Sequence, residues 1–485
     1  MIRSIRRLAV VMSILLLALM ANATYLQYFA AANIRNRPAN TRVLLEEYSR
    51  ERGPILLGST AIAQSVRTPD QLKFLRTYSD GAMYAPATGY YSLVYGATGI
   101  ERAENSVLSG SDDRFFVDRL QHLFAGRGVK GGAVRLTLNP AAQKAAYDGL
   151  AGRTGAVVAI DPRTGAILAL ASSPSFDTNL LSSHKPAEIR AAYAALTADP
   201  KQPMLNRPLV MTLPPGSTFK LVTAAAALES GRYTATTQVP GPAELKLPST
   251  TKVLRNWSGT ACGPNDKTTL ENALAISCNT AFASVGLDLG ADVLRQQAQK
   301  FGFDTNFDIP LHAAKSRFPD ILDEPQTAMA AIGQYDVSAT ALQMAMVAAA
   351  IGNRGQVMYP YLVSQVLSPA LTPLDTAQPT VFSQAMSPAN AETLLSMMVT
   401  VVDRGTGSNA QIPGVVVGGK TGTAQTAPGL PPHAWFVSVA PADPGGTSSI
   451  AVAVVLQNGG GAAEVSGNKL AAPIARAVMQ AVLAS

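Results

Sequence analysis

The chain has 485 residues, 47% apolar and only 15% charged, which excludes a disordered or charge-solvated protein and makes two or three domains the expectation. Its formal net charge is +7, but the basic residues form no block, so the excess is diffuse and leaves no footprint for nucleic acid.

Arg3, Arg6 and Arg7 precede a stretch from Leu8 to Asn33 that has no charged side chain. About 24 helical residues at about 1.5 Å each reach about 36 Å, enough for a bilayer core of about 30 Å. Residues 8–31 are therefore expected as a single transmembrane anchor. Residues 1–7 would lie in the cytoplasm and the rest outside, because basic residues ahead of a span mark its inner side. A cleaved signal peptide competes, since Ala21-Asn22-Ala23 resembles a small-residue cleavage site. The uncharged run continuing through Tyr25, Leu26, Tyr28 and Phe29 favours a retained anchor. Under either reading the body of the chain is exported.

Residues 32–153 show short mixed patterns and many turn signals, among them Arg52-Gly53-Pro54-Ile55 and Gly99-Ile100-Glu101. Val134 to Leu138 alternates like a strand, and Pro140 opens a helical stretch to about Leu150. No nucleophile or metal set gathers there, so a non-catalytic N-terminal pedestal domain is expected, followed by a second domain over 154–485.

In that second domain, apolar runs from Ala156 to Ile160 and from Ala166 to Ala171 flank Asp161-Pro162-Arg163-Thr164-Gly165, the punctuation of a hairpin. An alanine-rich helix follows from Ser217 to Ser230, ended by Gly231. Late strand-like runs cover Val415 to Gln425, Ala434 to Ala440 and Ile450 to Leu456, and a last helix covers Leu470 to Leu483. Strands at both ends with helices between them predict an α/β fold of the α+β type, one sheet whose strands come from both ends of the domain and pack against helices.

Three patterns carry chemistry. In Pro214-Pro215-Gly216-Ser217-Thr218-Phe219-Lys220 the prolines and glycine force a turn, which places Ser217 at a helix N-terminus. Free N–H groups and the positive dipole end there favour a developing oxyanion. Lys220, three residues on, shares its face. The helix is apolar nearly all round, so the lysine is expected to be buried and its pKa to fall, making a neutral amine available as a base. A serine cap with a snorkelling lysine fits this motif equally well.

Ser277-Cys278-Asn279 interrupts an otherwise apolar helix from Leu270 to Leu289, which makes it a turn by composition. It also offers a hydroxyl and an amide to a cleft. Lys420-Thr421-Gly422-Thr423, after Val415-Val416-Val417-Gly418-Gly419, reads as a strand whose glycines let another backbone approach. As an edge strand it would accept an extended peptide; it is not taken as a phosphate-binding loop.

Cys262 and Cys278 are 16 residues apart in an exported segment, where a disulfide can persist; two buried thiols are the alternative. A bridge would brace the Ser-x-Asn turn. His122, His184, His312 and His433 lack ligand spacing, so no metal and no cofactor are expected. His433 is taken as an ordinary surface histidine.

In this order, the three patterns resemble those of the penicillin-binding protein and serine β-lactamase superfamily. Gly155 to Pro162, Ser173-Pro174-Ser175-Phe176-Asp177, Ile332-Gly333-Gln334, Leu342-Gln343-Met344-Ala345, Arg404-Gly405-Thr406-Gly407 and Ala434-Trp435-Phe436 are similar to the class B transpeptidase domain. The two motifs between residues 52 and 101 are similar to the non-catalytic module of the same class. The resemblance implies a central antiparallel sheet packed by helices, and a serine acyl-enzyme that cross-links peptidoglycan stem peptides on lipid-linked or nascent strands with release of D-Ala.

It also implies roles. Ser217 would be the nucleophile, Lys220 the acylation base and Ser277 the proton relay; Asn279 would bind the substrate amide and orient Lys220. Lys420 would hold the proton network and, with Thr421, attract the substrate carboxylate. Backbone N–H groups of Ser217 and Thr423, beside Gly422, would form the oxyanion hole. β-Lactams would be covalent inhibitors, and the cytoplasmic membrane and divisome or elongation-complex proteins would be partners. A D,D-carboxypeptidase or endopeptidase, a β-lactam sensor and a non-catalytic divisome scaffold are the alternatives. Leu213 departs from the aromatic residue that many relatives have before Pro-Pro-Gly.

Overall fold

The structure, a computed structural model, describes residues 2–29, 47–116, 130–426, 429–462 and 465–484. Residues 30–31 of the expected anchor, the first residues of the expected pedestal and His122 lie outside the described residues.

Helix α1 (Ile2–Thr24) runs into a π-helical turn, Tyr25–Phe29. The 24 residues Ile5–Tyr28 have a mean hydropathy of 2.0 and no cover from the rest of the chain. Leu8, Leu15, Leu16, Leu17 and Leu19 are exposed, an arrangement water penalises and lipid favours.

A six-stranded sheet follows, formed by β1 (Ile55–Leu57), β2 (Thr60–Arg67), β3 (Phe74–Tyr78), β4 (Ala133–Leu136) and two strands from far along the chain. A buried ion cluster lies beside it. Glu101 Oε2 and Oε1 accept from Arg52 Nε and Arg76 Nε, both at 2.6 Å, and Tyr78 Oη donates to Oε1 at 3.2 Å. Arg52 also lies over the Tyr91 ring, 4.2 Å from its centroid. Burial opposes ionisation of Glu101, but Arg76 and Arg52 outweigh it and hold the carboxyl below its usual range.

Helix α2 (Pro140–Leu150) leads into the hairpin β5 (Gly155–Ile160) and β6 (Ile167–Ser173). The buried Gln143 side chain caps the outer edge of β6, donating to Leu170 O and accepting from Leu170 N. Helix α3 (Lys220–Glu229) is buried along almost its whole length. Helices α4 (Leu270–Ala275) and α5 (Asn279–Leu289) are separated by the Ser-x-Asn turn, and α6 (Ala341–Gly352) is a wholly buried central helix. The late strands of the first sheet are β7 (Val363–Leu367) and β8 (Pro373–Thr376), giving the order β8-β7-β4-β1-β2-β3. Helix α7 (Pro388–Asp403), β9 (Gly418–Ala424), β10 (His433–Ala440), β11 (Ile450–Leu456) and α8 (Ala472–Leu483) complete the chain.

The second sheet has the order β9-β10-β11-β5-β6 with every neighbouring pair antiparallel. Side chains alternate between its two faces. Val158, Val437, Ala453 and Val455 share the larger core with α3 and α6, while Val157, Phe436, Val452 and Val454 pack with α2 and α8. Because helices cover both faces, the central strands β5 and β11 are apolar along their whole length and lose the two-residue period of a half-exposed strand. β9 forms one edge of the sheet, and the three sequence motifs gather beside it.

Candidate active site

Pro214 and Pro215 end an extended segment in which Leu213 exchanges backbone hydrogen bonds with Ala339 (3.0 and 2.9 Å). Leu213 is half-buried against the core. Trp435 Nε1 donates to Pro214 O at 3.0 Å, so the Ala-Trp-Phe motif on β10 anchors the turn. Gly216 has φ 53°, and a Cβ there would lie 3.0 Å from Ala424 Cβ and 3.1 Å from Thr423 O. Glycine is needed for both the conformation and the clearance. Its N–H donates to Gly333 O at 2.9 Å, which gives Ile332-Gly333-Gln334 its place against the turn.

Ser217 sits in a single 3-10 turn, Gly216–Phe219, that feeds α3, rather than at the first residue of a long α-helix. The proline-proline-glycine entry tightens the backbone there. Ser217 remains at the free end of the helical segment and is half-exposed, against β9. Gly422 permits that approach, since a Cβ on it would meet Thr218 Cγ2 at 2.9 Å and Pro215 O at 3.0 Å.

Lys220 is fully buried. Its Nζ donates to Ser277 O at 2.7 Å and Asn279 Oδ1 at 2.8 Å, and lies 3.3 Å from Ser277 Oγ. Burial, and after it the neighbouring charge of Lys420, hold its pKa well below the usual lysine value. Lys420, also fully buried, is brought by burial to about 7; its Nζ contacts Ser277 Oγ and Thr421 O, both at 2.9 Å. A neutral amine has two N–H donors and one lone pair. With both donors of Lys220 used by the Ser277 carbonyl and Asn279, its lone pair is left for a hydroxyl proton. Ser277 Oγ thus bridges two amines of lowered basicity.

The Ser-x-Asn turn is held in an uncommon shape. Ser277 has φ 60°, a left-handed conformation that costs a non-glycine residue about 1 kcal/mol or more. Its N–H donates to Leu274 O at 3.2 Å and that of Cys278 to Ala273 O at 2.8 Å. Cys278 is disulfide-bonded to Cys262, with Cα atoms 6.1 Å apart. Asn279 Nδ2 donates to Arg255 O at 3.1 Å, so one of its amide hydrogens is already engaged within the protein.

On β9, Thr421 and Thr423 are two residues apart and share a face, with Thr423 nearer the end of the strand. Thr421 is buried, and its Oγ1 pairs with Thr406 Oγ1 at 2.7 Å; Thr423 is exposed. Thr406 N donates to Ala275 O at 3.0 Å. The Arg-Gly-Thr-Gly turn therefore ties the end of α4 to β9. The role of Thr406 leaves no local signal in the sequence, since its partner Thr421 lies 15 residues on.

Gly414-Val415-Val416-Val417-Gly418-Gly419-Lys420-Thr421 does satisfy the spacing of a phosphate-binding loop. The fold excludes that reading. Gly419, Lys420 and Thr421 lie within a β-strand paired along its length with β10, whereas a phosphate loop needs free N–H groups leading into a helix. His433 also corrects the sequence expectation. It is buried, not on the surface; its Nδ1 accepts from Asn458 N at 3.0 Å, and burial lowers its pKa to about 4. The both-sided packing of β10 produces that burial, which no local pattern reveals.

The penicillin binding protein transpeptidase domain family matches residues 155–480, and the penicillin binding protein A dimerisation domain family matches residues 52–134. Peptidoglycan D,D-transpeptidase PbpA of Mycolicibacterium smegmatis is 45% identical over 490 residues, covering 99% of each chain. The protein of that name from Mycobacterium tuberculosis is 43% identical over 489 residues, again covering 99% of each. The ceftriaxone acyl-enzyme complex of penicillin-binding protein A from M. tuberculosis superposes with a TM-score of 0.88 at 43% identity, covering 90% of this chain and 100% of that one.

Proposed function

The chain belongs to the penicillin-binding protein transpeptidases of class B, peptidoglycan D,D-transpeptidases that β-lactams acylate, and from that premise we propose that Ser217 is the residue it acylates. The observation that carries the assignment is the hydrogen-bonded series Lys220–Ser277–Lys420, which joins α3, one turn on from Ser217, through the Ser-x-Asn turn to the edge strand β9.

In the reaction so read, Ser217 Oγ attacks the penultimate D-Ala carbonyl of a stem peptide. The lone pair of Lys220 Nζ takes the hydroxyl proton. Collapse of the tetrahedral intermediate forms the serine ester and breaks the peptide bond, while a proton passes through Ser277 Oγ to the leaving D-Ala amine. The N–H groups of Ser217 and Thr423 receive the oxyanion, an arrangement in which each donor is worth about 10²–10³ in rate. The exposed hydroxyl of Thr423 and the charge of Lys420 serve the substrate carboxylate; Thr421 acts through its pairing with Thr406. Asn279 orients Lys220 through Oδ1 and offers its remaining amide hydrogen to substrate. An amine of a neighbouring stem peptide then takes the acyl group from Ser217.

Residues 8–31 anchor the enzyme in the cytoplasmic membrane, with residues 1–7 inside and both the 32–153 pedestal and the 154–485 transpeptidase domain outside. The arginines before the span and the uncovered apolar helix support this. Divisome or elongation-complex proteins are the partners that such an anchored cross-linker would serve.

The test is a donor thioester with a D-amino-acid acceptor. The expected result is an acyl transfer product that Ser217→Ala abolishes. Transfer surviving in Ser217→Ala would count against the assignment, and free acid as the sole product of the wild type would count against an amine as the acyl acceptor.

A further inference from the structure

Asn256 lies 21 residues before Ser277 in a loop with no motif, yet it is buried and hydrogen-bonded on both sides of its amide. Oδ1 accepts from Asn279 N at 3.0 Å and Thr280 N at 3.1 Å. Nδ2 donates to Pro242 O at 2.9 Å and Thr260 O at 3.0 Å. Its oxygen therefore caps the first turn of α5 from outside the helix. A local cap is weak there, because Cys278 offers only a disulfide sulfur, 3.4 Å from Ala281 N; sulfur is a poor acceptor.

The capped turn is the one that holds Ser277 at positive φ and presents both Ser277 O and Asn279 Oδ1 to Lys220 Nζ. Nothing within the turn pins the N–H groups of Asn279 and Thr280, since the first N–H groups of a helix have no intrahelical acceptor. From this geometry we infer that Asn256 is a positioning residue for acylation. Its oxygen fixes the start of α5, and through Asn279 and the Ser277 carbonyl it fixes the lone pair of Lys220. Its amide nitrogen fastens that cap to the segments at Pro242 and Thr260. This rests on the reading of Ser217 as nucleophile and Lys220 as base. It gives the loop before the Ser-x-Asn turn a part in setting the acylation rate.

The oxygen and nitrogen halves of the amide can be separated. Asn256→Asp keeps an acceptor for both helix N–H groups and loses the two loop donations; Asn256→Ala loses everything. The experiment uses the full chain in detergent and a fluorescent penicillin. It resolves the pre-covalent dissociation constant from the acylation rate constant, with rates normalised to folded protein by thermal melting. Asn256→Ala is expected to slow acylation about 10²-fold, the scale for misplacing a reacting group by about 1 Å, without weakening pre-covalent binding. Asn256→Asp is expected to recover most of that loss.

A folded Asn256→Ala that acylates at the wild-type rate overturns the inference, as does a folded Asn256→Asp as slow as the alanine variant. If Asn256→Ala does not fold, Asn256→Asp decides alone: near-wild-type acylation supports the inference, and a loss of about 10²-fold overturns it. Ser217→Ala is run beside them. Labelling that survives in Ser217→Ala defeats the nucleophile assignment itself, whatever the Asn256 variants do.

Discussion

Replacing Ser277 by alanine isolates the proton relay from the rest of the site. The hydroxyl is the atom that lies 3.3 Å from Lys220 Nζ and 2.9 Å from Lys420 Nζ. The contacts that place Lys220 are otherwise to Ser277 O and Asn279 Oδ1, and alanine leaves both. The base therefore stays where it is, and the route from it to the leaving group is cut. Positioned proton transfer contributes about 10²–10⁴ in rate. Ser277 is half-exposed, so water can occupy the vacated site, and the lower end applies. Acylation by a fluorescent penicillin should fall about 10²-fold, equivalent to about 2.7 kcal/mol in the barrier. Pre-covalent binding should hold, because the hydroxyl serves the reacting atoms rather than the ground state. Stopped-flow labelling at several penicillin concentrations separates the two constants. Acylation of Ser277→Ala at the wild-type rate, or a loss confined to binding, would refute the relay.

Further outcomes follow from the buried lysine, the buried ion cluster and the disulfide. Acylation should fall as the pH is lowered into acid, because burial and the charge of Lys420 hold the Lys220 pKa well below the usual lysine value, and acid restores its ammonium; a flat rate–pH profile contradicts a lysine base. Glu101→Ala should destabilise the protein by about 3–5 kcal/mol, since it leaves Arg52 and Arg76 buried without their counter-charge; an unchanged thermal midpoint would show the cluster to be dispensable. For the wild type, the lowered pKa of Glu101 gives stability that is present above the unfolded carboxylate value and lost as pH falls through the folded one. Cys262→Ser with Cys278→Ser should cost about 3 kcal/mol from the opened loop and slow acylation, because Cys278 lies inside the Ser-x-Asn turn; acylation kinetics indifferent to dithiothreitol and to the substitutions would break that link.

What could be read from the chain was local. The hairpin around Asp161 to Gly165 showed itself by its proline and glycine between apolar runs. The break between α4 and α5 showed itself because Ser277 and Asn279 are polar in an apolar stretch. Lys220 could be placed in the core because its helix is apolar nearly all round. The features that escaped depend on distant partners. β7 and β8 join the first sheet from residues 363–376, and β8 is exposed throughout, so it carries no alternation to reveal it. The burial of His433 and the pairing of Thr406 with Thr421 exist only once the strands are stacked. Asn256 carries no local signal, because the groups it caps lie more than twenty residues on. Ser217 stands at the start of a helical segment, as Pro214, Pro215 and Gly216 predict, but that start is a 3-10 turn rather than the first turn of a long α-helix.

The central claim is that Ser217 forms the acyl-enzyme. Intact mass and peptide mapping after exposure to penicillin test it directly: one adduct, on the peptide containing Ser217 in the wild type and missing from Ser217→Ala, is the predicted result, whereas an adduct on any other residue, or one that persists in Ser217→Ala, would contradict it.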